Sequence, residues 1–397
     1  MTSSTQSTSC IDIITLPVRA PLSALVWLAK KVAALFVGYF VRIGVFMLGV
    51  YHEDWLKREI MELFKSGPRV DPTRLADSTE VLKTLGGIHS HLWTDDGAKI
   101  EYMLLRAIDV KAKIESLGGR WEEASDNSGT HSVITHDNPT PEWEAFAANV
   151  LRRMRWEEGT FAGVEGFCTA TWAKAERPRG DAVLLLAAPA NQCLGMMRKA
   201  IGQNLGFGLD VCVFNHRQGA SEGGYYLDAE GVYDFLARSY EKVALAGSCL
   251  GASVLAHVRA KHPDSPFVAI KTFDSAERLL ANQPSPAGWI APLGIPSLQS
   301  DDPTICSRTD QDGFDIPHKF EKAENGAPTL IISVETDTTV APGTHERLCA
   351  AAEQIGDVYE CQFSPADRGV NGHTLAPLED NKIFTWYQEH LILAING

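Results

Sequence analysis

The chain has 397 residues, 45% of them hydrophobic and 22% charged, and carries a net charge of -14. Binding nucleic acid needs a basic face, and no Lys/Arg cluster appears beyond the N-terminal fifty residues, so an acidic chain of this kind is not built to grip phosphates. The eight cysteines (Cys10, Cys168, Cys193, Cys212, Cys249, Cys306, Cys349 and Cys361) show no paired spacing and read as separate thiols in a reducing compartment, not as a disulfide framework.

Residues Ala20 to Tyr51 are nearly all apolar, with Lys30, Lys31 and Arg42 as the only charges before His52. Lys31 and Arg42 are eleven apart and so lie about 20° apart on a helix, with Lys30 widening the same stripe. A narrow cationic stripe on an apolar helix suits a lipid interface, where the basic stems snorkel to the headgroups. An in-plane anchor, a membrane span and a helix buried in protein all stay open. The leading Met1 to Thr8 carries no positive charge, which argues against a secretory signal peptide. Segment 1–51 is thus expected to associate with membrane, leaving the rest of the chain on the cytoplasmic side.

A helical or irregular region is expected over 52–157, with helices at Glu53 to Lys65, Glu101 to Leu117 and Trp143 to Trp156, and a polar, turn-rich loop from Asp126 to Pro141. His89 and His91, near Asp95 and Asp96, alternate as metal ligands on a strand would, but no further ligand spacing accompanies them. Gly206-Phe-Gly208 precedes a strand instead of following one, so it is not a dinucleotide loop. No metal or cofactor is expected.

From 158 onward, apolar β-rich runs alternate with helical stretches. Expected strands are Ala182 to Ala188, the run from Val211, Lys242 to Gly247, Phe267 to Thr272, Pro328 to Val334 and Asp357 to Phe363, with a terminal helix from about Glu379 to Leu393. Asp274 to Asn325 is rich in Pro, Gly and Asp and interrupts the alternation. It is a candidate cap in which Trp289, Ile290, Leu293 and Ile295 could line an acyl pocket.

Gly247-Ser248-Cys249-Leu250-Gly251 closes one of these strands and opens an Ala/Val/Leu helix. A sharp strand-to-helix turn holds its apex residue in a strained conformation, with glycines two before and two after so that the backbones can pass closely. Centred on Cys249 the glycines fall in place; centred on Ser248 they do not, though either residue could be the apex. A helix N-terminus behind the apex favours a thiolate and a developing oxyanion. Asp337 falls on the loop after one later strand and His373 after the next. That order supplies a nucleophile, a base to take its proton and a carboxylate to orient the imidazole. Asp274, after the preceding strand, is the rival carboxylate.

From about Phe161 onward, these features resemble the α/β-hydrolase superfamily, specifically its cysteine-nucleophile branch, as in dienelactone hydrolases and polyhydroxyalkanoate synthases. Ala182 to Ala188 is similar to the strand before the family's oxyanion loop, and Val211 to Gly223 to its strand and Arg-Gly…Ser-x-Gly turn. The resemblance implies an α/β fold, mostly parallel with helices on both faces, over 158–397. It also implies a Cys249, Asp337 and His373 triad, with backbone N–H groups of Asn191 and Leu250 as the oxyanion donors. The family's His-Gly-x stands here as Pro189-Ala190-Asn191, and a register shift would place Pro189, which has no N–H, at the donor position. The apolar N-terminal segment and the loop Ala187 to Asn191 also resemble chlamydial CHLPS proteins. Together these imply a membrane-associated acyl hydrolase or acyltransferase acting on a lipid or lipid-linked ester or thioester. The alternative is a catalytically silent membrane interaction protein on the same fold.

Overall fold

The computed structural model describes residues 72–127, 129–172, 181–190, 192–217, 222–282, 313–363 and 390–396. The expected anchor over 1–51, the helix at Glu53 to Lys65 and much of the expected cap lie outside them.

Apolar runs bounded by turns pair into one eight-stranded sheet. Its strands, in chain order, are β1 (Ile88–Trp93), β2 (Lys99–Leu105), β7 (Ala182–Ala187), β8 (Asp210–Phe214), β9 (Lys242–Ser248), β10 (Phe267–Ile270), β11 (Thr329–Val334) and β12 (Val358–Phe363). The spatial order is β1-β2-β8-β7-β9-β10-β11-β12. β2 runs antiparallel to both neighbours, and every pairing from β8 to β12 is parallel. Strands covered on both faces should read as unbroken apolar runs, and β7 (AVLLLA) and β10 (FVAI) are buried at every position.

The crossovers carry helices: α4 (Arg198–Gly206) joins β7 to β8, α5 (Glu222–Ala237) joins β8 to β9, and α6 (Leu250–Lys261) joins β9 to β10. Short α7 (Ala276–Ala281) and α8 (Ile316–Glu321) belong to the expected cap-like insertion, and α9 (Thr344–Ala352) joins β11 to β12. Residues 390–396 are helical, with Leu391, Ile392 and Ile395 in the core. This order, with a single reversed second strand, is that of the α/β-hydrolase fold.

The N-terminal region departs from expectation. Where a helix was expected over Glu101 to Leu117, Tyr102 to Leu105 instead pair with β8 as part of β2, and α2 (Ala107–Ser116) begins only after Arg106, whose backbone is extended. The apolar Tyr-Met-Leu-Leu run fills a place in the sheet, and the tertiary pairing overrides helical spacing. Part of the expected polar loop Asp126 to Pro141 is likewise strand. β3 (Arg120–Asp126), β4 (Gly129–Thr135), β5 (Glu157–Phe161) and β6 (Val164–Trp172) form a second, antiparallel sheet in the order β3-β4-β6-β5. Both sheets therefore cross the expected boundary at 157, and the described part of the expected helical or irregular region, 72–157, carries strands β1 to β4 beside its helices.

The first helix of the described residues, α1 (Pro72–Thr84), lies ahead of the sheet. The helix expected over Trp143 to Trp156 begins as α3 (Pro141–Phe146), its first turn capped by the Thr140 hydroxyl, which accepts from the Trp143 N–H at 3.2 Å. It continues through a wider turn, Ala147–Leu151, and a tighter one, Arg152–Met154, and stops at Arg155, whose φ of 60° no helix continues.

Candidate active site

One residue, Cys249, separates the end of β9 from the start of α6, and its φ of 51° and ψ of -120° lie in a region that L-residues rarely occupy. Such a conformation costs on the order of 1–3 kcal/mol and persists only where the surroundings fix it. Here they do. The Cys249 N–H donates to the Ile270 carbonyl at 3.0 Å, and the Cys249 carbonyl accepts from the N–H groups of Ala252 (3.1 Å) and Ser253 (3.3 Å) and from the Thr272 hydroxyl (2.9 Å). Ser248, by contrast, is the last residue of β9 and pairs with Ile270.

The flanking glycines meet the close approach that such a turn demands. A Cβ on Gly247 would stand 2.4 Å from the Ala252 nitrogen, and one on Gly251 would stand 2.4 Å from the Ala187 carbonyl oxygen. The Cys249 side chain is half-buried, while Leu250 behind it is fully buried as the first residue of α6. At that position the Leu250 N–H has no intrahelical partner. Because β8 and β9 lie on opposite sides of β7, the loops after β7 and β9 part at a topological switch point, where open α/β sheets bind ligands outside the strands' carboxyl ends.

Asp337 follows β11 and is 8% exposed; its Oδ1 accepts from the Thr339 N–H at 2.9 Å, and its own N–H donates to the Val334 carbonyl at 3.1 Å. Its strand lies two places from β9, a lateral distance of roughly 10 Å. Asp274 is 2% exposed and already engaged. Its carboxylate accepts from Arg347, from Arg278 at 3.1 Å and from the Thr344 hydroxyl at 3.3 Å, tying α7 to α9. A carboxylate held by two guanidiniums is a structural tie. His373 and Asn191 lie outside the described residues, as do Trp289, Ile290, Leu293 and Ile295.

A cavity of about 530 Å³ has Asp337, Thr272, Lys271, Ser333 and His345 among its lining residues. Thr272 is the residue whose hydroxyl holds the Cys249 carbonyl, so the cavity wall runs from the support of the elbow to the loop of Asp337. Asn282, at the end of α7, spans the Asp337 loop by donating to the carbonyls of Thr338 and Val340, both at 2.9 Å.

The remaining singled-out residues have other partners. His89 meets the Glu101 carboxylate at 2.5 Å, and Asp96 is bound by Arg217, which holds its carboxyl down to about 2. Arg217 also donates to Asp228 of α5 at 2.6 Å, so the turn after β8 is tied both to that helix and, through Asp96, to the β1–β2 hairpin. Burial pushes the neighbouring His216 down to about 4, so it stays neutral at ordinary pH. One cluster was not anticipated from sequence: His345 and Cys349 on α9 and Glu360 on β12, whose donor atoms lie within 4.8 Å of one another. The spacing His-x-x-x-Cys on a helix was its only advance signal.

No family model matches the chain, and no curated protein matches it. Among solved structures, it is similar to an esterase of Pyrococcus furiosus at 11% identity and a TM-score of 0.48, covering 84% of this chain and 97% of that one. A thermostable carboxylesterase cloned from a metagenomic library is 11% identical with a TM-score of 0.42, over 82% of this chain and 96% of that one. An α/β hydrolase of Vibrio vulnificus is 12% identical with a TM-score of 0.41, over 71% and 82%. At these identities and scores, the chemistry of the site rests on its own geometry.

Proposed function

We propose that the chain is an acyl hydrolase or acyltransferase of the cysteine-nucleophile kind, in which Cys249 attacks an ester or thioester. The observation that supports this reading best is the left-handed backbone at Cys249, whose own N–H and carbonyl are both bonded while its thiol stays half-buried at the N-terminus of α6. His373 takes the thiol proton as the sulfur adds to the acyl carbon. The oxyanion of the tetrahedral intermediate accepts from the Leu250 and Asn191 N–H groups, and its collapse expels an alcohol or thiol that receives the proton from His373. Water or another acceptor then releases the acyl group from sulfur. Asp337 fixes the imidazole tautomer and steadies its cationic form.

The segment Ala20 to Tyr51 would hold this site beside a lipid or lipid-linked acyl substrate. Among the described residues no helix is long and apolar enough to cross a membrane, and this segment lies outside them. Full-length protein should float with anionic liposomes; a chain that stays soluble without detergent and ignores them would refute the anchor.

The chemistry is tested with a panel of esters and thioesters of graded chain length and intact-mass trapping of the acyl-enzyme. Wild type should gain the acyl mass on the Cys249 peptide. C249S should not, and D337N should lose about 10²–10⁴-fold in turnover. D274N should act through stability. A folded D274N without activity beside a fully active D337N would assign the orienting role to Asp274, and a chain that acylates nowhere would leave the fold without the reaction.

A further inference from the structure

We propose that His345, Cys349 and Glu360 form a zinc site that staples α9 to the edge strand β12. This does not rest on the acyl chemistry above. His345 and Cys349 are four apart on α9 and therefore share one face of the helix. On β12, Tyr359 and Cys361 pack against the main core, so the alternation of the strand turns Glu360 to the opposite face, toward α9.

The distances suit one ion. His345 Nε2 lies 3.7 Å from Cys349 Sγ and 3.2 Å from Glu360 Oε2, and Cys349 Sγ lies 3.0 Å from the same oxygen. A tetrahedral zinc with bonds of about 2.3 Å to sulfur and about 2.0–2.1 Å to nitrogen and oxygen has ligand-to-ligand edges of roughly 3.3–3.6 Å. Shifts of a few tenths of an ångström would bring all three donors to bonding distance.

A supporting hydrogen bond is already in place. Ser333 on β11 lies 2.8 Å from His345 Nδ1 through its hydroxyl oxygen. With Nδ1–H donating to that oxygen, the Nε2 lone pair faces Cys349 and Glu360, the arrangement that second-shell partners give metal-bound histidines. Thiolate, imidazole and carboxylate together select zinc over magnesium or calcium, which take all-oxygen sites. The side chain of His345 is 10% exposed and that of Glu360 is 59% exposed. Two ligands therefore sit inside, and the third opens to solvent, where water completes the tetrahedron. When the S–Zn bond forms, the Cys349 proton leaves to solvent.

The competing description is a hydrogen-bonded trio in which the Cys349 thiol donates to Glu360. Full-length protein, freed of metal with chelator under reducing conditions, is titrated with Zn(II) against a chromogenic competitor and separately with Co(II). One equivalent of zinc should bind, and cobalt should give a near-ultraviolet thiolate-to-metal band with the visible spectrum of a tetrahedral ion. C349S should abolish that band, and H345A and E360Q should each weaken zinc at least tenfold. S333A should weaken it about tenfold through the second shell. C361S, on the other face of β12, should bind as wild type does. Since Glu360 is largely exposed, E360Q provides a variant that folds, and zinc should raise the melting temperature of wild type more than that of E360Q. A wild type without the thiolate band, a band that survives in C349S, or an E360Q that binds zinc with wild-type affinity would overturn the site.

Discussion

Gly251→Ala tests the elbow without touching a reacting group. The added carbon would stand 2.4 Å from the Ala187 oxygen, and 2.7 Å from both the Ala187 carbon and the Ala188 oxygen. All three are backbone atoms at the end of β7, so no side chain can rotate aside. Restoring contact to about 3.4 Å requires the first turn of α6 to move about 1 Å from β7. Overpacking of this kind costs typically 1–3 kcal/mol, a lowering of the melting temperature on the order of several degrees in a domain of this size. The same displacement parts the Leu250 N–H from the loop after β7, and about 1 Å of misplacement can cost roughly 10²-fold in rate. The assay pairs thermal melting with turnover of a small soluble ester. Gly159→Ala is the control, since its added carbon meets only the Phe161 ring at 3.6 Å. A G251A protein that melts and turns over as wild type does would refute the close packing of elbow and loop.

Brief iodoacetamide treatment near neutral pH should label Cys249 before Cys168, Cys193, Cys212 and Cys349. Burial pushes all four of those thiols up, Cys349 to about 12 with the Glu360 carboxylate adding to the effect. Peptide mass spectrometry led by any of the four would count against an activated Cys249. Stability should also fall in acid in two stages. Burial holds His216 near 4 against 6.5, so the neutral imidazole stabilises the fold above pH 6.5, and on the order of 3 kcal/mol is lost as pH falls through 4. Burial raises the Glu230 carboxyl, but hydrogen bonds from His257 and Lys261 outweigh it and hold the group near 2 against 4.5, so its contribution is lost below pH 4.5 as pH falls toward 2. Urea titrations across pH should give an H216L protein a flatter limb between pH 6.5 and 4; an unchanged limb would refute the assignment to His216.

The parallel strands were legible because burial on both faces leaves nothing but apolar residues, as in Ala182–Ala187 and Phe267–Ile270. The elbow was legible because steric demand at two glycines leaves a fixed spacing. The second sheet was not: β3 is mostly exposed and carries Glu122 and Glu123, and β4 begins as Gly-Thr-His-Ser, so neither strand announces itself until its partner is in place. β2 was hidden by Met and Leu, which suit a helix equally well. The His345, Cys349 and Glu360 cluster joins a helix to a strand, and only the return of β12 alongside β11 brings its third member near. Of the expected triad, Cys249 and Asp337 fall within the described residues, and the base His373 does not.

The backbone at Cys249 makes its own prediction about stability. At an ordinary position alanine is more stable than glycine by about 0.4–1 kcal/mol, because glycine loses more freedom on folding. At φ 51° and ψ -120° that order should invert. Alanine keeps the Cβ and with it a strain of about 1–3 kcal/mol, whereas glycine adopts this region freely. Subtracting the entropy cost leaves C249G more stable than C249A by up to about 2 kcal/mol, although neither has a thiol to acylate. The half-buried side chain adds little to the comparison, since both variants lose the same sulfur. Chemical denaturation of the two variants, with Ser248→Ala and Ser248→Gly as the matched pair one residue earlier in β9, decides it. Ser248 should follow the ordinary order, with alanine ahead. If Cys249 also puts alanine ahead, the apex is relaxed in solution, and no stored strain holds the thiol out of the turn.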